Sequence, residues 1–283
     1  MKKTKTNICA VVIFYNPVIE TITNIRTYIN QVDRLYLIDN SNTTSLSLLK
    51  DLDYEDKIVY LPNYDNLGMG KALNIGIQHA INDNYSFVLT MDQDTQLPFD
   101  YINRIFSAID NFDGKGIVTG FHDTANKKRI ENKKKNVLTT LMSGNVLNLN
   151  SYKALGGFEE KLFIDYVDNE FCLRLNSNKY KVIVIQNILI SHNLGTIKEK
   201  KLFFKSIYTT NHSPLRLYYR TRNRIFCIKK YGYIFPGFVF VQLFSFIKEV
   251  LIIIIFEKEV LNKLSKMILG FFHSLQNKYG RYE

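Results

Sequence analysis

The sequence predicts an α/β fold, a mostly parallel sheet covered by helices on both faces. Short apolar runs rich in β-branched residues (ICAVVIFY, RLYLID, KIVYL, YSFVLTM and GIVTG) recur through residues 1–121. Segments of helical spacing alternate with them. Strands of a doubly covered parallel sheet read as continuous apolar runs, because neither face meets water.

The first run, ICAVVIFY, follows the basic MKKTKTN and leads directly into Asn16-Pro17. It reads as a core strand, not a secretion signal. Pro17 opens a segment with Ile19, Ile22, Ile25 and Ile29 at helical spacing. After RLYLID and KIVYL, GMGKALNIGIQHAIN reads as a helix with Ala72, Ile75, Ile77, Ala80 and Ile81 mostly on one side. YSFVLTM is a fourth strand, PFDYINRIFSAI a helix and GIVTG a fifth strand. Residues 122–136 (HDTANKKRIENKKKN) interrupt the pattern as a basic surface loop. Strand-like LMSGNVLNL follows. A helix then opens near Asp168, docked by Phe171, Leu173 and Leu175 with Asp168 capping its first turn, and YKVIVI is another strand.

The C-terminal part changes character. SPLRLYYRTRNRIFCIKKYG is aromatic and arginine-rich. IFPGFVFVQLFSFIKEVLIIIIF is about long enough to cross a bilayer, but Gln242, Ser245, Lys248 and Glu249 draw a polar stripe along it. The last helix places Leu261, Leu264, Ile268, Phe271, Phe272 and Leu275 on one face and Lys263 and Lys266 on the other. That is the profile of a helix lying in a membrane interface.

Charge divides the chain the same way. Residues 1–195 hold 21 Lys and Arg against 21 Asp and Glu, so the remaining 16 against 5 supply the whole net charge of +11. A neutral front and a basic back predict chemistry first and docking to an anionic partner second. No helix-turn-helix, RRM or zinc pattern accompanies the basic residues, which argues against nucleic acid and for an anionic membrane surface. A hydrophobic fraction of 46% with 13% aromatics excludes a largely disordered chain. Cys9, Cys172 and Cys227 show no paired spacing, which argues against both a disulfide framework and a cysteine zinc site.

Parallel α/β sheets bind ligands at the carboxyl ends of their strands. Here those ends carry Asn16, then Asp39-Asn40, then Asn63 and Asn66, then Asp92 and Asp94. Gly68-Met69-Gly70-Lys71 has neither the phosphate-loop nor the dinucleotide spacing, although Gly68 at a helix start would expose backbone N–H groups to a phosphate or nucleobase. Asp92-Gln93-Asp94 does not continue as a calcium loop. Two carboxylates at a strand tip instead suit Mg²⁺ or Mn²⁺ held against a diphosphate, with water and phosphate oxygens completing the shell. His192, just past YKVIVI, would extend that donor set toward Mn²⁺. Asp168 at a helix start reads either as a cap or as a general base. The first strand is followed by FYNPVIET, without the glycine-rich opening loop that a nucleotidyltransferase would place there.

The ordered set FYNP, LIDNSN, NLGMGKALNIGIQHA, LTMDQDTQLP, LMSGN, LGGFEEKLFIDYVDNEFCLRL, ISHNLG and LYYRTRN resembles glycosyltransferase family 2, and within it the bacterial rhamnosyltransferases of surface polysaccharide synthesis. The likeness runs from about residue 7 to the C-terminus and implies a GT-A fold. It implies a catalytic domain over 1–212, with a nucleotide-sugar half to about 121 and an acceptor half from about 137, and a basic helical membrane-associating region over 213–283. By the same likeness Asp39 reads the pyrimidine base with Asn16 and Asn66 nearby. Asp94 is the direct metal ligand, and Asp92 serves ribose or metal. Ser143, Gly144 and Asn145 border donor and acceptor, Asp168 is the catalytic base, and His192 contacts the metal. Many relatives carry Glu before the base, where this chain has Val167. The implied reaction is inverting transfer of L-rhamnose from dTDP-L-rhamnose, or of a hexose or galactofuranose from UDP, to a lipid-linked saccharide. The implied place is the cytoplasmic face of the bacterial membrane, held peripherally.

Overall fold

The computed structural model describes residues 7–52, 55–123, 133–192, 198–202, 205–209 and 211–282. They form two compact units, one of residues up to Glu159 with Asp168–Asn193, the other of Glu160–Val167 with Leu194–Glu283.

The first unit is organised around β1 (Ile8–Phe14). It lies parallel to β2 (Leu35–Asp39) on one side and to β4 (Phe87–Asp92) on the other, and β3 (Ile58–Pro62) continues the sheet beyond β2. All of β2 and nearly all of β1 are buried, which is why both read as unbroken apolar runs. Helix α1 (Ile19–Arg26) supplies Ile22 and Ile25 to one core layer, and α2 (Met69–Asn82) covers the sheet with Ala72, Leu73, Ile77 and Ala80. Gly76 allows α2 to approach so closely: a Cβ there would lie 2.6 Å from a methyl of Val11.

Beyond β4 the parallel expectation gives way to a mixed sheet. After the two-residue β5 (Thr95–Gln96) and α3 (Tyr101–Ser107) come β6 (Lys115–Asp123), β7 (Lys134–Asn136) and β8 (Asn145–Asn148). β8 runs antiparallel to both β4 and β6, whereas β9 (Lys181–His192) runs parallel to β6 and antiparallel to β5 and β7. The strand order is β3-β2-β1-β4-β8-β6-β9-β5, with β7 also on β9. Most of the expected basic loop, 124–132, lies outside the described residues; its end is strand β7, not loop. The strand expected from LMSGNVLNL is cut short at Asn148, whose side chain accepts from Asn150 N–H and caps α4 (Leu149–Leu155). Helix α5 (Val167–Ser177) buries Phe171, Leu173 and Leu175 as expected, but it opens at Val167, so Asp168 lies inside its first turn and is not its cap.

The second unit holds the hairpin β10 (Lys198–Leu202) and β11 (Lys205–Thr209), then α6 (Pro214–Tyr231), α7 (Pro236–Phe256) and α8 (Val260–Leu275). Ser213 caps α6 and Pro214 occupies its first turn. Two expectations change here. Lys263 does not face outward: it is 3% exposed, and its ammonium donates to Glu257 at 2.7 Å and to Asn211 at 2.7 Å. Inward with it point Met267, Gly270 and Ser274, and a Cβ on Gly270 would meet the Tyr218 carbonyl at 2.4 Å, so α8 lies backbone to backbone on α6. The apolar stripe of Leu261, Ile268, Phe272 and Leu275 is the exposed one. Helix α7 is arranged likewise. Gln242 accepts from Tyr166 and Glu249 pairs with Arg220 and Arg224, while Phe240, Val241, Phe244, Ile247 and Ile254 stand in the open. Each helix turns charged or amide groups inward and leaves large apolar side chains outside, although Ser245 and Lys248 of the expected α7 polar stripe are exposed as well.

Candidate active site

The ends of β2, β1 and β4 form one rim. Register places Asp39 beside Phe14 and Asp92 beside Ile13, so the two acids flank the end of β1, two strand spacings or about 10 Å apart. Asp39 is buried. One of its oxygens accepts from Ser41 N–H at 2.9 Å, and the other from Ser45 N–H at 3.0 Å and the Tyr60 hydroxyl at 2.5 Å. Burial pushes its pKa up, but the hydrogen bonds from Ser41, Tyr60 and Ser45 outweigh burial and hold it below the ordinary carboxylate value. Asp39 is therefore a fixed, ionised acceptor.

The loop after β1 is tied to the acidic tip. Asn16 takes a left-handed conformation (φ 46°) and donates its N–H to Ser41 Oγ at 2.8 Å. Tyr15 N–H donates to Gln93 Oε1 at 2.8 Å, and Gln93 Nε2 returns a bond to Tyr15 O at 3.2 Å. Gln93, read in sequence as a spacer between two acids, is thus the clamp that holds the β4 tip to the β1 loop. Asn66 Oδ1 accepts from Gly68 N–H at 3.0 Å, while Asn40 bridges the Gly68 carbonyl to Asn63. Gly68 stands at the start of α2 with φ 82°, a conformation costly for any residue with a Cβ.

At the tip of β4, Asp94 is exposed and Asp92 half-buried. Ser143 and Gly144 lie directly against this tip. Asp92 N–H donates to Ser143 Oγ at 3.0 Å, and Gly144 N–H donates to Thr90 O at 2.8 Å. Two residues not foreseen hold the Ser-Gly turn from behind. Tyr101, fully buried, donates to Gly144 O at 2.5 Å and accepts from Gly120 N–H at 2.8 Å, and His122 Nε2 lies 2.7 Å from Ser143 O. The side chain of His192 lies outside the described residues; its backbone pairs with Thr95, next to Asp94. Among the described residues no group of three His, Cys, Asp or Glu forms a closed metal cage. Asp92 and Asp94 instead offer an open pair of hard oxygen donors, which fits Mg²⁺ or Mn²⁺ sharing its shell with phosphate and water.

Asp168 joins the same region. With Thr90, Met142, Asn145 and Cys172 it borders a void too narrow for water. Its Oδ1 accepts from Asn169 N–H at 2.8 Å and Asn169 Nδ2 at 3.0 Å. Helix α5 is fixed by Phe171, whose ring lies 4.5 Å from that of Phe158 at a tilt of 44°, and by Arg174, which pairs with the buried Glu170 and donates to Leu155 O and Gly157 O. The chain enters the helix through a segment in which Phe163, Asp165 and Tyr166 are all left-handed (φ 66°, 58° and 65°). Each such non-glycine residue costs about 1 kcal/mol or more, so the segment must be held by its surroundings.

The order of these parts along the chain, from the β1 loop to α5, decides the family. Residues 9–177, more than half the chain, match the model of glycosyl transferase family 2. The chain belongs to that family. It is 29% identical over 242 residues to the dTDP-rhamnosyl transferase RfbF of Shigella flexneri, covering 79% of this chain and 80% of that one. Its fold is similar to that of the mannosyltransferase PcManGT from Pyrobaculum calidifontis in complex with GDP-Man and Mn²⁺ (TM-score 0.61, 13% identity, 96% of this chain and 88% of that one). It is also similar to S. aureus TarS 1-349 in complex with UDP-GlcNAc (TM-score 0.59, 14% identity, 96% and 88%). At those identities the likeness is one of fold, the GT-A type. The protein is therefore a family 2 glycosyltransferase, and the rim of β1, β2 and β4 is its candidate nucleotide-sugar site.

Proposed function

We propose that this glycosyltransferase is inverting and metal-dependent, and that it moves L-rhamnose from dTDP-L-rhamnose to a hydroxyl of a lipid-linked oligosaccharide during cell-surface polysaccharide synthesis. The reading rests on one observation above others: the Asp92–Asp94 tip, the Ser143-Gly144 turn and Asp168 gather around the end of β4, in a chain similar to a dTDP-rhamnosyl transferase. Asp39, kept ionised, accepts the imide N–H of thymine, with Asn16 and Asn66 shaping the base pocket and Gly68 N–H groups nearby. Asp94 and Asp92 would hold Mn²⁺ or Mg²⁺, with His192 as a further ligand. When bound, the ion neutralises charge developing on the departing diphosphate. Asp168 takes the proton of the acceptor hydroxyl as its oxygen forms the new bond to the anomeric carbon. The bond from that carbon to the diphosphate breaks on the opposite face, dTDP leaves with the electron pair, and configuration inverts.

In this reading residues 1–212 carry the chemistry and 213–283 dock to an anionic membrane at its cytoplasmic face. The outward apolar stripes of α7 and α8 support that docking, since apolar surface of this extent is costly in water. Helix α7 is also long and apolar enough to cross a membrane by length and composition.

The test pairs binding with turnover. Thermal shifts are measured with dTDP, UDP and GDP, each with Mn²⁺ and with EDTA, alongside dTDP release from dTDP-L-rhamnose. The largest metal-dependent shift is expected with dTDP, lost in Asp94→Asn. Asp168→Asn keeps the shift and loses turnover by about 100-fold or more, the usual contribution of a general base. A shift greatest with UDP reassigns the donor to a UDP-sugar, and wild-type turnover in Asp168→Asn refutes the base.

A further inference from the structure

The arginine-rich helix α6 carries three consecutive polar side chains that the reaction described above does not use: Arg222, Asn223 and Arg224, none more than 2% exposed. On a helix three successive residues span most of the circumference, so burying all three polar ends requires acceptors on several sides. Most of them lie on one segment, Leu162–Tyr166. Asn223 Nδ2 donates to Leu162 O at 2.8 Å, Ile164 O at 2.7 Å and Asp165 O at 2.9 Å. Arg222 donates to Leu162 O at 3.1 Å and to Gly280 O at 2.9 Å, with its guanidinium set against the rings of Tyr218, Tyr219 and Tyr279. Arg224 donates to the Tyr166 hydroxyl at 2.8 Å and to Glu249 at 2.8 Å.

The segment so gripped, Leu162–Tyr166, is the one with three left-handed residues. Asp165 is a residue type that tolerates that backbone, but nothing in Phe163 or Tyr166 favours it over an extended one. The carbonyls of Leu162, Ile164 and Asp165 turn toward α6, where the Asn223 amide and the Arg222 guanidinium collect them, and Arg224 reaches the Tyr166 hydroxyl. One residue, Val167, then separates the end of this segment from Asp168.

We propose that Asn223, supported by Arg222 and Arg224, is a positioning residue for transfer: by fixing the left-handed backbone of 162–166 it sets the direction in which Asp168 leaves the chain toward the acceptor hydroxyl. The inference rests on Asp168 being the base. A merely structural cluster would lower stability; a positioning cluster lowers kcat through Asp168 and leaves donor binding alone.

The experiment is a double-mutant cycle on the full chain, with Asn223→Ser, which keeps one donor, Asn223→Asp, which removes all donation when ionised, Asp168→Asn, and the combinations. Turnover is read as dTDP release from dTDP-L-rhamnose with Mn²⁺, donor binding as the dTDP thermal shift, and local order as hydrogen exchange at 162–168. In the Asn223 variants kcat is expected to fall about 30-fold or more with the KM for donor within about two-fold. Faster exchange should be confined to 162–168, and the Asn223 change should have no further effect once Asp168 is Asn. Losses that multiply in the double variant, donor binding that falls in parallel, or unchanged kcat in both Asn223 variants would overturn the proposal. So would collapse of the whole chain in both, which would assign the cluster to folding alone. Wild-type turnover in Asp168→Asn by itself fails the reading beneath, and is distinguishable because it appears in the single variant before any cycle is drawn.

Discussion

Tyr28 and Tyr101 are both fully buried in the core of the first unit, and removing the hydroxyl from each should have opposite consequences. The Tyr101 hydroxyl accepts from Gly120 N–H, donates to Gly144 O and lies 3.4 Å from Thr119 Oγ1. In Tyr101→Phe, Gly144 O keeps the bond from Thr119 at 3.1 Å, but Gly120 N–H loses its partner in the interior. A lost hydrogen bond costs about 1 kcal/mol and a stranded buried donor about 1–3 more, so the expected loss is roughly 2–4 kcal/mol. At about 2–4 °C per kcal/mol for a unit of this size, melting falls by roughly 4–16 °C. The Tyr28 hydroxyl is buried with no hydrogen-bond partner among the described residues, and burial together with the Asp92 charge pushes its pKa up. Tyr28→Phe deletes a group that left water and received nothing in return, so stability should stay level or rise by up to about 1 kcal/mol. Urea unfolding of the two variants measures both. Because Tyr101 also holds the Ser143-Gly144 turn against the β4 tip, its variant should weaken the metal-dependent dTDP shift, while the Tyr28 variant should not. Equal losses in the two variants would refute the reasoning, since the same atom is removed from the same depth.

Two further outcomes follow from groups already described. The folded pKa of Asp39 lies below its unfolded value of about 3.9, so its contribution to stability is complete above about pH 4 and is lost as pH falls through the lower folded value. Urea midpoints followed from neutral pH to about pH 3 should fall more steeply for the wild type than for Asp39→Asn, and parallel curves would remove Asp39 from the acid response. On α7, Phe240 and Phe244 are 73% and 72% exposed, and each would contribute up to about 2 kcal/mol on entering a bilayer interface. Replacing both with Ser should lower binding to phosphatidylglycerol vesicles by about ten-fold or more without changing the melting temperature; unchanged vesicle binding would exclude α7 from the docking surface.

How much of this was legible in the sequence depends on what each feature answers to. The strands β1, β2 and β4 declare themselves because a parallel strand buried on both faces has no polar alternation to hide behind. The acids at their ends are visible because a polar residue closing an apolar run marks the rim. The antiparallel placing of β8 between β4 and β6 is not visible, since partner choice lies in contacts between segments far apart in the chain, and Asn148 turned a promising strand into a helix cap. The left-handed backbone at Phe163 and Tyr166 had no local signal either: the side chains that hydrogen-bond this segment, Arg222–Arg224, lie some sixty residues later.

The C-terminal helices carry a different lesson. Periodicity separates two faces of a helix, but the choice of which one turns inward presupposes that the medium outside is water. In α8 that assumption puts Lys263 outside, whereas the fold buries it with Glu257, which also accepts a hydrogen bond from Thr209, and exposes the leucines and phenylalanines. In α7 the inward Glu249 is matched by Arg220 and Arg224, so the carboxylate taken from solvent has partners of opposite charge. Desolvating these ions is costly, and truncating one partner of such a pair leaves the other stranded. A sequence that accepts that cost while leaving aromatic side chains uncovered is consistent when the outer medium is apolar. The same inward pairing brings Arg224 to Tyr166, whose hydroxyl accepts a hydrogen bond from it. The inward pairing of α7 and the contacts proposed to set the posture of Asp168 thus share one side chain, Arg224.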